Sequence, residues 1–321
     1  MNLFRSILLA FLMAPLAALG QAYPSKAVRM VVPYGPGGMV DTATRAVSNR
    51  LSEALGQPVV IDNRAGASGM IGADIVAKAA PDGYTLLLTG GPPHAVYPVF
   101  FKNVPFDTIK DFTPIVIVGT APNVLVVHPS LPATSVKELI DYAKKNPGKL
   151  SYGTPGVGNP NHVGGLLLNR MAGIDLVHVA YKSGPPALID LLGGQILVAM
   201  LSMSTAMPQV RSGKLRLLGV LEAQRAKGAP DTPTIAEAGV PGYAVPDTSV
   251  GLLAPANLPA AIVGQVNAAA LKAVAFADVR SRLEAAGFEA KSTTPQEFAD
   301  HLVKGHEVYR KIVTEAGIKP E

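Results

Sequence analysis

The chain has 321 residues, no cysteine and a formal charge of +5 at pH 7, with 28 Lys and Arg against 23 Asp and Glu. The lack of cysteine excludes disulfides, thiolate metal sites and cysteine nucleophiles. No block of Lys and Arg concentrates the small charge excess, which argues against nucleic acid as a partner, and the length is sufficient for two domains with buried cores.

Residues 1–22 are predicted to be a cleaved signal peptide. Arg5 precedes an apolar run from Ile7 to Leu19, and small residues follow at Gly20 and Ala22. A cation, a short apolar segment and small residues, in this order, are typical of secretory signal peptides. The run is short for the roughly 20 apolar residues of a transmembrane helix. We therefore expect an exported protein.

Apolar β-branched runs alternate with helical patterns from residue 28 onward, which predicts an α/β fold with mainly parallel sheets. The first unit reads as a strand in VRMVVPY, a helix in DTATRAVSNRLSEALG, a strand in PVVIDN, a helix in MIGADIVAKAA and a strand in YTLLLTG. Gly56 is expected just past the end of the first helix.

A second unit begins at NVLVVHP. Ser135 and Glu138 form a capping box that predicts a helix in VKELIDYAKK. KLSYGTPGVGNP is a predicted strand that enters a loop and a helix from about Asn161 to Met171, and LVHVAY, ILVAML and LRLLGVL continue the strands. The C-terminal part is predicted to be helical, with a proline in the first turn of LPAAIVGQVNAAALKAV and a cap of Thr294 and Glu297 on the last long helix.

Two extended stretches, PIVIVGTAPNVLVVHP and YAVPDTSVGLLAPA, separate the two units. They predict a pair of strands that cross between two lobes, with a cleft between them. The corresponding bounds are residues 23–121 and 247–321 for the first lobe and 122–246 for the second.

Three glycine-rich loops follow predicted strands. Where such a loop leads from a parallel strand into a helix, the first N–H groups of the helix have no intrahelical partner and attract an anion. The first loop, GPGGMVD, presents the backbone of Gly37 and Gly38, and Asp41 is the predicted N-cap of the following helix. TPGVGNPNH repeats this arrangement, and TGGPPHAVYP is the third loop.

Other classes of site fit these loops less well. The glycine spacings lack the third glycine of a dinucleotide site, and no P-loop is present. GASGM, residues 66–70, does not fit a nucleophile elbow, and His301 and His306 are five apart, whereas zinc ligands on one helix face are four apart. An α/β hydrolase or isomerase with His94 or His162 as its base is an alternative, and so is a ligand sensor for a membrane receptor. We expect no metal and no cofactor.

Many blocks of the sequence, in one order, resemble the receptors of tripartite tricarboxylate transporters, the Bug family. They include YPSKAVRMVVPYGPGGMVD, GQPVVIDNRAGASGMIGADIVAKAAPDGYTLLL, HVAYKSGPPALIDLLGGQI and DTPTIAEAGVPGY, and they cover nearly the whole mature chain. The resemblance implies a type II periplasmic-binding-protein fold, with two Rossmann-like α/β lobes joined by two hinge strands that close over a ligand. It also implies a non-catalytic, monomeric periplasmic receptor that delivers a small organic acid to the membrane subunits of such a transporter.

The resemblance places candidate ligand-binding residues in the three loops and on strands that face the cleft. They are Tyr34, Gly37, Gly38, Met39, Asp41, Thr89, Gly90, Thr154, Gly156, Gly158, Asn159, His162, Tyr181 and Ser202. Met39 and Val40 depart from the family pattern of a small or hydroxylated pair, and the strand positions 202–203 and 248–250 lack the usual Asp or Asn and aromatic. Because these departures add apolar surface, we expect a ligand less polar than a tricarboxylate, such as a monocarboxylate or an aromatic acid.

Overall fold

The computed structural model describes residues 23–90, 97–315 and 317, so the predicted signal peptide and His94 lie outside the described residues. The strands are β1 (Val28–Val32), β2 (Val59–Asn63), β3 (Thr85–Gly90), β4 (Phe112–Ala121), β5 (Asn123–Val127), β6 (Ser151–Thr154), β7 (Val177–Ala180), β8 (Val198–Ser202), β9 (Arg216–Val220), β10 (Thr248–Pro255) and β11 (Glu289–Ala290). The helices are α1 (Met39–Leu55), α2 (Met70–Ala77), α3 (Val136–Lys145), α4 (Pro160–Ala172), α5 (Gly184–Leu192), α6 (Met203–Arg211), α7 (Ala260–Ala275), α8 (Ala277–Ala285) and α9 (Pro295–Glu315).

These elements form two α/β lobes, each built on one sheet. The first sheet has the order β11-β4-β10-β3-β1-β2, and the second has the order β7-β6-β8-β5-β9. In the first sheet β1 is parallel to β2 and β3. In the second sheet β6 is parallel to β7 and β8. The predicted α/β class with two lobes is therefore confirmed.

The prediction of mainly parallel sheets is wrong, because the strands that cross between the lobes run against the others. β10 is antiparallel to β3 and β4, and β5 is antiparallel to β8 and β9. The parallel strands end at the cleft, whereas β5 and β10 begin there, since each enters its sheet from the other lobe. Local periodicity does not record this reversal of direction.

The crossing point is held together by a buried hydrogen-bonded group. Glu222 accepts hydrogen bonds from the backbone N–H of Asn123 (2.8 Å) and from its side-chain Nδ2 (3.0 Å). Nδ2 of Asn123 also lies 3.0 Å from Oγ1 of Thr248, the first residue of β10. The start of β5, the end of β9 and the start of β10 are thus tied together. The second oxygen of Glu222, Oε2, is buried and has no hydrogen-bond partner among the described residues.

Helix ends agree with several of the predicted signals. Ser135 accepts from the N–H of Glu138, and Thr294 and Glu297 form the predicted reciprocal cap. Gly56 ends α1 with a left-handed φ of 70°. The proline of LPAAIV, Pro259, is the N-cap of α7 and lies just outside the helix.

Two segments contact the hydrophobic cores of both lobes. In α9, Phe298 and Leu302 pack into the core of the first sheet, whereas Tyr309 and Val313 pack into that of the second. Near residue 100, Tyr97 belongs to the first core and Phe100 to the second. Within the described part of the chain no single helix is long and apolar enough to span a membrane, and only the pair α7 and α8, bent by 73°, passes that test together.

We predict that the free energy of unfolding decreases as the pH rises, because Glu222 is buried. Burial raises the pKa of Glu222 to about 8, an effect that the hydrogen bonds from Asn123 only partly offset. The folded protein therefore holds this carboxyl protonated, whereas the unfolded chain releases the proton near its ordinary pKa of about 4.3. The resulting contribution to stability is complete below about pH 4 and is lost as the pH rises to 8.

Glu222→Gln should have a Tm close to that of the native protein at pH 4.5 and higher by about 2 °C or more at pH 8. Thermal unfolding from pH 4.5 to 8 measures this difference, with exposed Glu307→Gln as the matched control. A difference in Tm that is the same at both ends of this range would contradict the prediction.

Candidate functional site

A cavity lies between the two lobes, where the parallel strands of both sheets end. It has about 530 Å3 of empty space, including its mouth. The walls are made by Tyr34, Gly38, Met39, Val40, Gly90, Asn123, Pro155, Asn159, Pro160, Asn161, Ser183, Gly184, Ser202, Thr205 and Thr248. The first and second glycine-rich loops therefore contribute to one hollow from opposite lobes.

Of the helices in the described part of the chain, four begin at this cavity. Their N-cap residues are Gly38 for α1, Asn159 for α4, Ser183 for α5 and Ser202 for α6, and all four line the wall. Only Asn159 caps its helix with its side chain, whose Oδ1 accepts from the N–H of His162 at 2.9 Å. The starts of α1, α5 and α6 have no side-chain cap. α5 contributes its dipole with few donors, because Pro185 and Pro186 have no N–H, and the N–H of Met203 in α6 donates to the carbonyl of Pro122 at 2.7 Å. The remaining N–H groups and the helix dipoles of both lobes give the cavity a positive potential.

Among the described residues, none of those that line the cavity has a charged side chain. The wall combines this backbone-derived potential with apolar surface from Met39, Val40, Pro155 and Pro160. Hydroxyl groups come from serine, threonine and Tyr34. Such a lining suits an anion that is bound by hydrogen bonds and is partly apolar.

The predicted N-cap role of Asp41 is wrong. α1 begins three residues earlier because Gly38 takes the extended N-cap conformation, with φ −74° and ψ 171°. Asp41 lies in the first turn, and its carboxylate accepts from the N–H of Gly37 (2.9 Å), from Nε of Arg45 (2.8 Å) and from Nδ2 of Asn63 (3.0 Å). Burial raises the pKa of Asp41, but these hydrogen bonds outweigh it and hold the pKa below its usual value. The ionised carboxylate thus fixes the loop without lining the cavity.

Several predicted residues of the second loop hold its backbone in place by hydrogen bonds. Oγ1 of Thr154 donates to the carbonyl of Gly156 (2.9 Å), and the N–H of Gly158 donates to Nδ1 of His162 (3.1 Å). His162 stacks on His178 with ring centroids 3.9 Å apart, and Nε2 of His178 lies 2.7 Å from Oγ1 of Thr154. The histidine pair is therefore a buried support for the loop.

Two further predicted residues stand close to the cavity without lining it. Thr89 is fully buried one residue before Gly90 at the end of β3. The hydroxyl of Tyr181 donates to Oδ2 of Asp190 at 2.7 Å, which holds it against α5. Tyr34 does line the cavity, and its hydroxyl lies 3.4 Å from that of Tyr97. Burial raises the pKa of Tyr34, so this phenol stays neutral.

The sequence therefore predicted part of the cavity wall and part of its support. The predicted residues that line the cavity are Tyr34, Gly38, Met39, Gly90, Asn159 and Ser202, whereas Gly37, Asp41, Thr89, Thr154, Gly156, Gly158, His162 and Tyr181 do not. Lining residues that were not among the predicted ligand-binding set are Val40, Asn123, Pro155, Pro160, Asn161, Ser183, Gly184, Thr205 and Thr248. Ser-Gly-Pro-Pro at 183–186 is a recognisable helix start. From this pattern the sequence could have predicted that the start of α5 forms part of the cavity wall.

The lobes are in contact around the cavity. A β-carbon built on Gly35 would lie 3.2 Å from Oγ of Ser183, and one built on Gly37 would lie 3.6 Å from Cγ of Pro185. On the other side of the cleft, a β-carbon on Gly156 would lie 3.2 Å from Oγ of Ser68. Loops of one lobe thus rest on helix starts of the other, as in a closed form.

Comparison with known sequences identifies related proteins. The profile of the tripartite tricarboxylate transporter family receptors matches residues 43–318. The protein BugT of Bordetella pertussis is 34% identical over 307 residues, which cover 95% of this chain and 93% of BugT.

Solved structures with the same fold include ligand complexes. A protein of R. palustris solved with adipate is 35% identical and superposes with a TM-score of 0.89, covering 93% of this chain and all of that protein. MatC from Rhodopseudomonas palustris, solved with bound malate, is 32% identical with a TM-score of 0.86, covering 91% of this chain and all of MatC.

We predict that the buried histidine pair makes the protein sensitive to acid. Burial, together with the neighbouring His178, lowers the pKa of His162 to about 3, and burial lowers the pKa of His178 to about 4. The folded protein keeps both rings neutral, whereas the unfolded chain takes up protons below its ordinary pKa of about 6.5. Their contribution is therefore complete above about pH 6.5 and is lost as the pH falls toward 3.

His178→Gln should show a smaller fall in Tm between pH 7 and pH 4 than the native protein, because one of the two linked protonations is removed. His128→Gln, on an exposed turn, should retain the native pH dependence. Equal slopes of Tm against pH for both variants would refute this role of the pair.

Proposed function

The protein belongs to the tripartite tricarboxylate transporter receptor family, and from this premise we propose that it captures a small organic carboxylate in its cleft and delivers it to the membrane subunits of such a transporter. The binding of small carboxylates by its solved relatives, adipate in one and malate in another, supports this role. Closure of the two lobes around a hinge would enclose the ligand.

The observation that carries the proposal is the convergence of four helix starts, three of them without a side-chain cap, on a cavity whose described lining residues include no charged side chain. Buried N–H groups need hydrogen-bond acceptors, and a carboxylate supplies two oxygens with a negative charge. Because the donors belong to different lobes, one anion can contact both only when the cleft is closed. Ligand binding would therefore stabilise closure.

The energy available without a cationic side chain is sufficient. A hydrogen bond to a charged group contributes roughly 1.5–3 kcal/mol, and a helix N-terminus adds about 0.3–1 kcal/mol. Three or four such bonds, with partial burial of apolar surface, can reach micromolar affinity, about 8 kcal/mol, after the costs of association. A lysine or arginine in the cavity is unnecessary.

The ligand that we propose is a monocarboxylate or an aromatic acid. Met39 and Val40 at the start of α1 face Pro155 and Pro160 across the cleft, and a second or third carboxylate would have to be desolvated against this apolar surface. The helix starts can hold one charged group. The remainder of the ligand would pack on the side chains.

We further propose that the protein is exported by its N-terminal leader and acts in the periplasm as a monomer. The solved relatives include periplasmic binding proteins, which supports this location. A role without catalysis is supported by the burial of His162, whose ring is stacked under the loop. Recovery of the unaltered acid after prolonged incubation with the protein tests this point, since turnover would favour an enzyme.

A thermal-shift screen with mono-, di-, tri- and aromatic carboxylates tests the proposed ligand class, because a ligand that binds only the folded protein raises Tm. We expect the largest shift from a mono- or aromatic carboxylate. Preference for citrate over every apolar acid would contradict the proposed class of ligand. Absence of any shift across the screen would contradict the receptor function itself.

Met39→Asp tests the electrostatics of the cavity. Met39 is the first residue of α1 and packs against the first core, so both Met39→Asp and Met39→Asn lose this packing. An acidic side chain is favourable to the helix dipole there, so Tm of Met39→Asp should be no lower than that of Met39→Asn. The same carboxylate lies in the cavity wall and should weaken binding of the best acid from the screen at least about tenfold by repulsion. Isothermal titration calorimetry measures the affinity of the native protein and of the variant for this acid.

Met39→Asn is the matched neutral control and should bind the acid within a few-fold of the native affinity. If Met39→Asp bound the acid as tightly as Met39→Asn, the positive potential of the helix starts would not be what holds the ligand.

A further inference from the structure

Asn161 is a buried side chain with an unused hydrogen-bond acceptor at the cavity wall. It is the second residue of α4, lines the cavity, and is only 6% exposed. Its Oδ1 is buried and has no hydrogen-bond partner within the part of the chain that the structure describes. An unpaired buried acceptor is costly, so a partner from the ligand would be worth more here than at an exposed position.

The other two side-chain amides in the described cavity wall already make hydrogen bonds within the protein. Asn123 donates to Glu222 and Thr248 at the crossing point. Asn159 accepts from the N–H of His162 and donates to the carbonyl of Gly156. These two asparagines hold the backbone of the site, which leaves Asn161 as the amide that is able to respond to the chemistry of the ligand.

The hydroxyl groups at the start of α6 hydrogen-bond to one another. Oγ of Ser202 lies 2.9 Å from Oγ of Ser204 and 2.9 Å from Oγ1 of Thr205. Each of these hydroxyls therefore already has a hydroxyl partner. A donor on the ligand consequently gains more at Oδ1 of Asn161, which is buried and has no partner among the described residues.

We propose that Asn161 accepts a hydrogen bond from a hydroxyl group of the ligand, and that the protein selects hydroxylated monocarboxylic acids over the acids that lack the hydroxyl. This proposal rests on the proposed function, because the helix starts must first hold the carboxylate. The partner of Oδ1 has to be a donor. An ammonium group is disfavoured, since the described lining residues include neither Asp nor Glu to neutralise it and the helix starts repel a cation.

The experiment compares matched acids by isothermal titration calorimetry. The first set is butyrate with 2-, 3- and 4-hydroxybutyrate and 3-aminobutyrate, and the second is benzoate with its three monohydroxy derivatives. These sets move the hydroxyl stepwise relative to the carboxylate. For the best-placed hydroxyl we expect the native protein to bind the hydroxy acid about tenfold or more tightly than the parent acid, because the parent leaves Oδ1 unpaired. We expect the amino acid to bind more weakly than the hydroxy acid.

Asn161→Leu removes the acceptor at similar volume and should reduce the ratio of the two affinities to about one, mainly by weakening the hydroxy acid. Asn161→Ala provides a second variant, and its ratio should fall in the same way. Asn49→Leu, at an exposed position of α1, is the matched control and should keep the native ratio. Tm of each variant confirms that the fold is retained.

The outcomes separate this proposal from the receptor function. Equal affinity of the native protein for hydroxy and parent acids, or a preference that survives in Asn161→Leu and Asn161→Ala, would overturn the role of Asn161 while leaving carboxylate binding intact. Preference for the aminobutyrate would replace the hydroxyl by an ammonium and equally overturn it. Failure of every acid to bind would refute the receptor function and this proposal with it.

Discussion

The site depends on helix starts whose backbone N–H groups have no side-chain cap. A helix start normally has its free donors satisfied by a side-chain cap or by water. Here α1, α5 and α6 begin at the cavity without a side-chain cap, and closure of the lobes limits access of bulk water. Burying such donors is unfavourable unless an acceptor arrives with the closure. An anion between the lobes therefore supplies what the closed form lacks, which couples binding to the hinge.

The arrangement of strands places these donors. Helices α1, α4, α5 and α6 follow the carboxyl ends of β1, β6, β7 and β8, the edge where ligands bind in open α/β sheets. Because these edges of the two lobes face each other, both lobes line one cavity. The crossing strands β5 and β10 must then start at the same edge, so they are antiparallel to their neighbours. Asn123 and Thr248 lie in the cavity wall for this reason, since each is the first residue of a crossing strand.

Local signals were sufficient for the elements and the loops, and insufficient for contacts between distant segments. The capping pairs at Ser135 and Thr294 act within four residues, so they could be predicted directly. The N-cap role was assigned wrongly to Asp41 because glycine and aspartate are both common N-cap residues. Which of Gly38 and Asp41 caps α1 depends on Arg45 and Asn63, whose hydrogen bonds hold the Asp41 carboxylate in the first turn of the helix. His162 was a plausible ligand contact by position, but its ring direction depends on His178, which is distant in the chain. The burial of Glu222 and the vacant acceptor of Asn161 arise only where separate segments meet.

A site built from helix starts has a consequence for selectivity. A lysine would hold any small anion, including phosphate and sulfate, because its ammonium is a compact point charge with rotatable donors. Backbone N–H groups from opposite lobes are fixed in direction, so they discriminate by the shape of the acceptor and by how well the lobes fit around the rest of the ligand. The remaining acidic charge near the first loop, Asp41, is directed toward Arg45 and away from the cavity. If the charged group is held by the backbone, as we propose, differences between related acids are read by side chains such as Met39, Val40 and Asn161. Substitutions at these positions would then change the ligand without rebuilding the anion site.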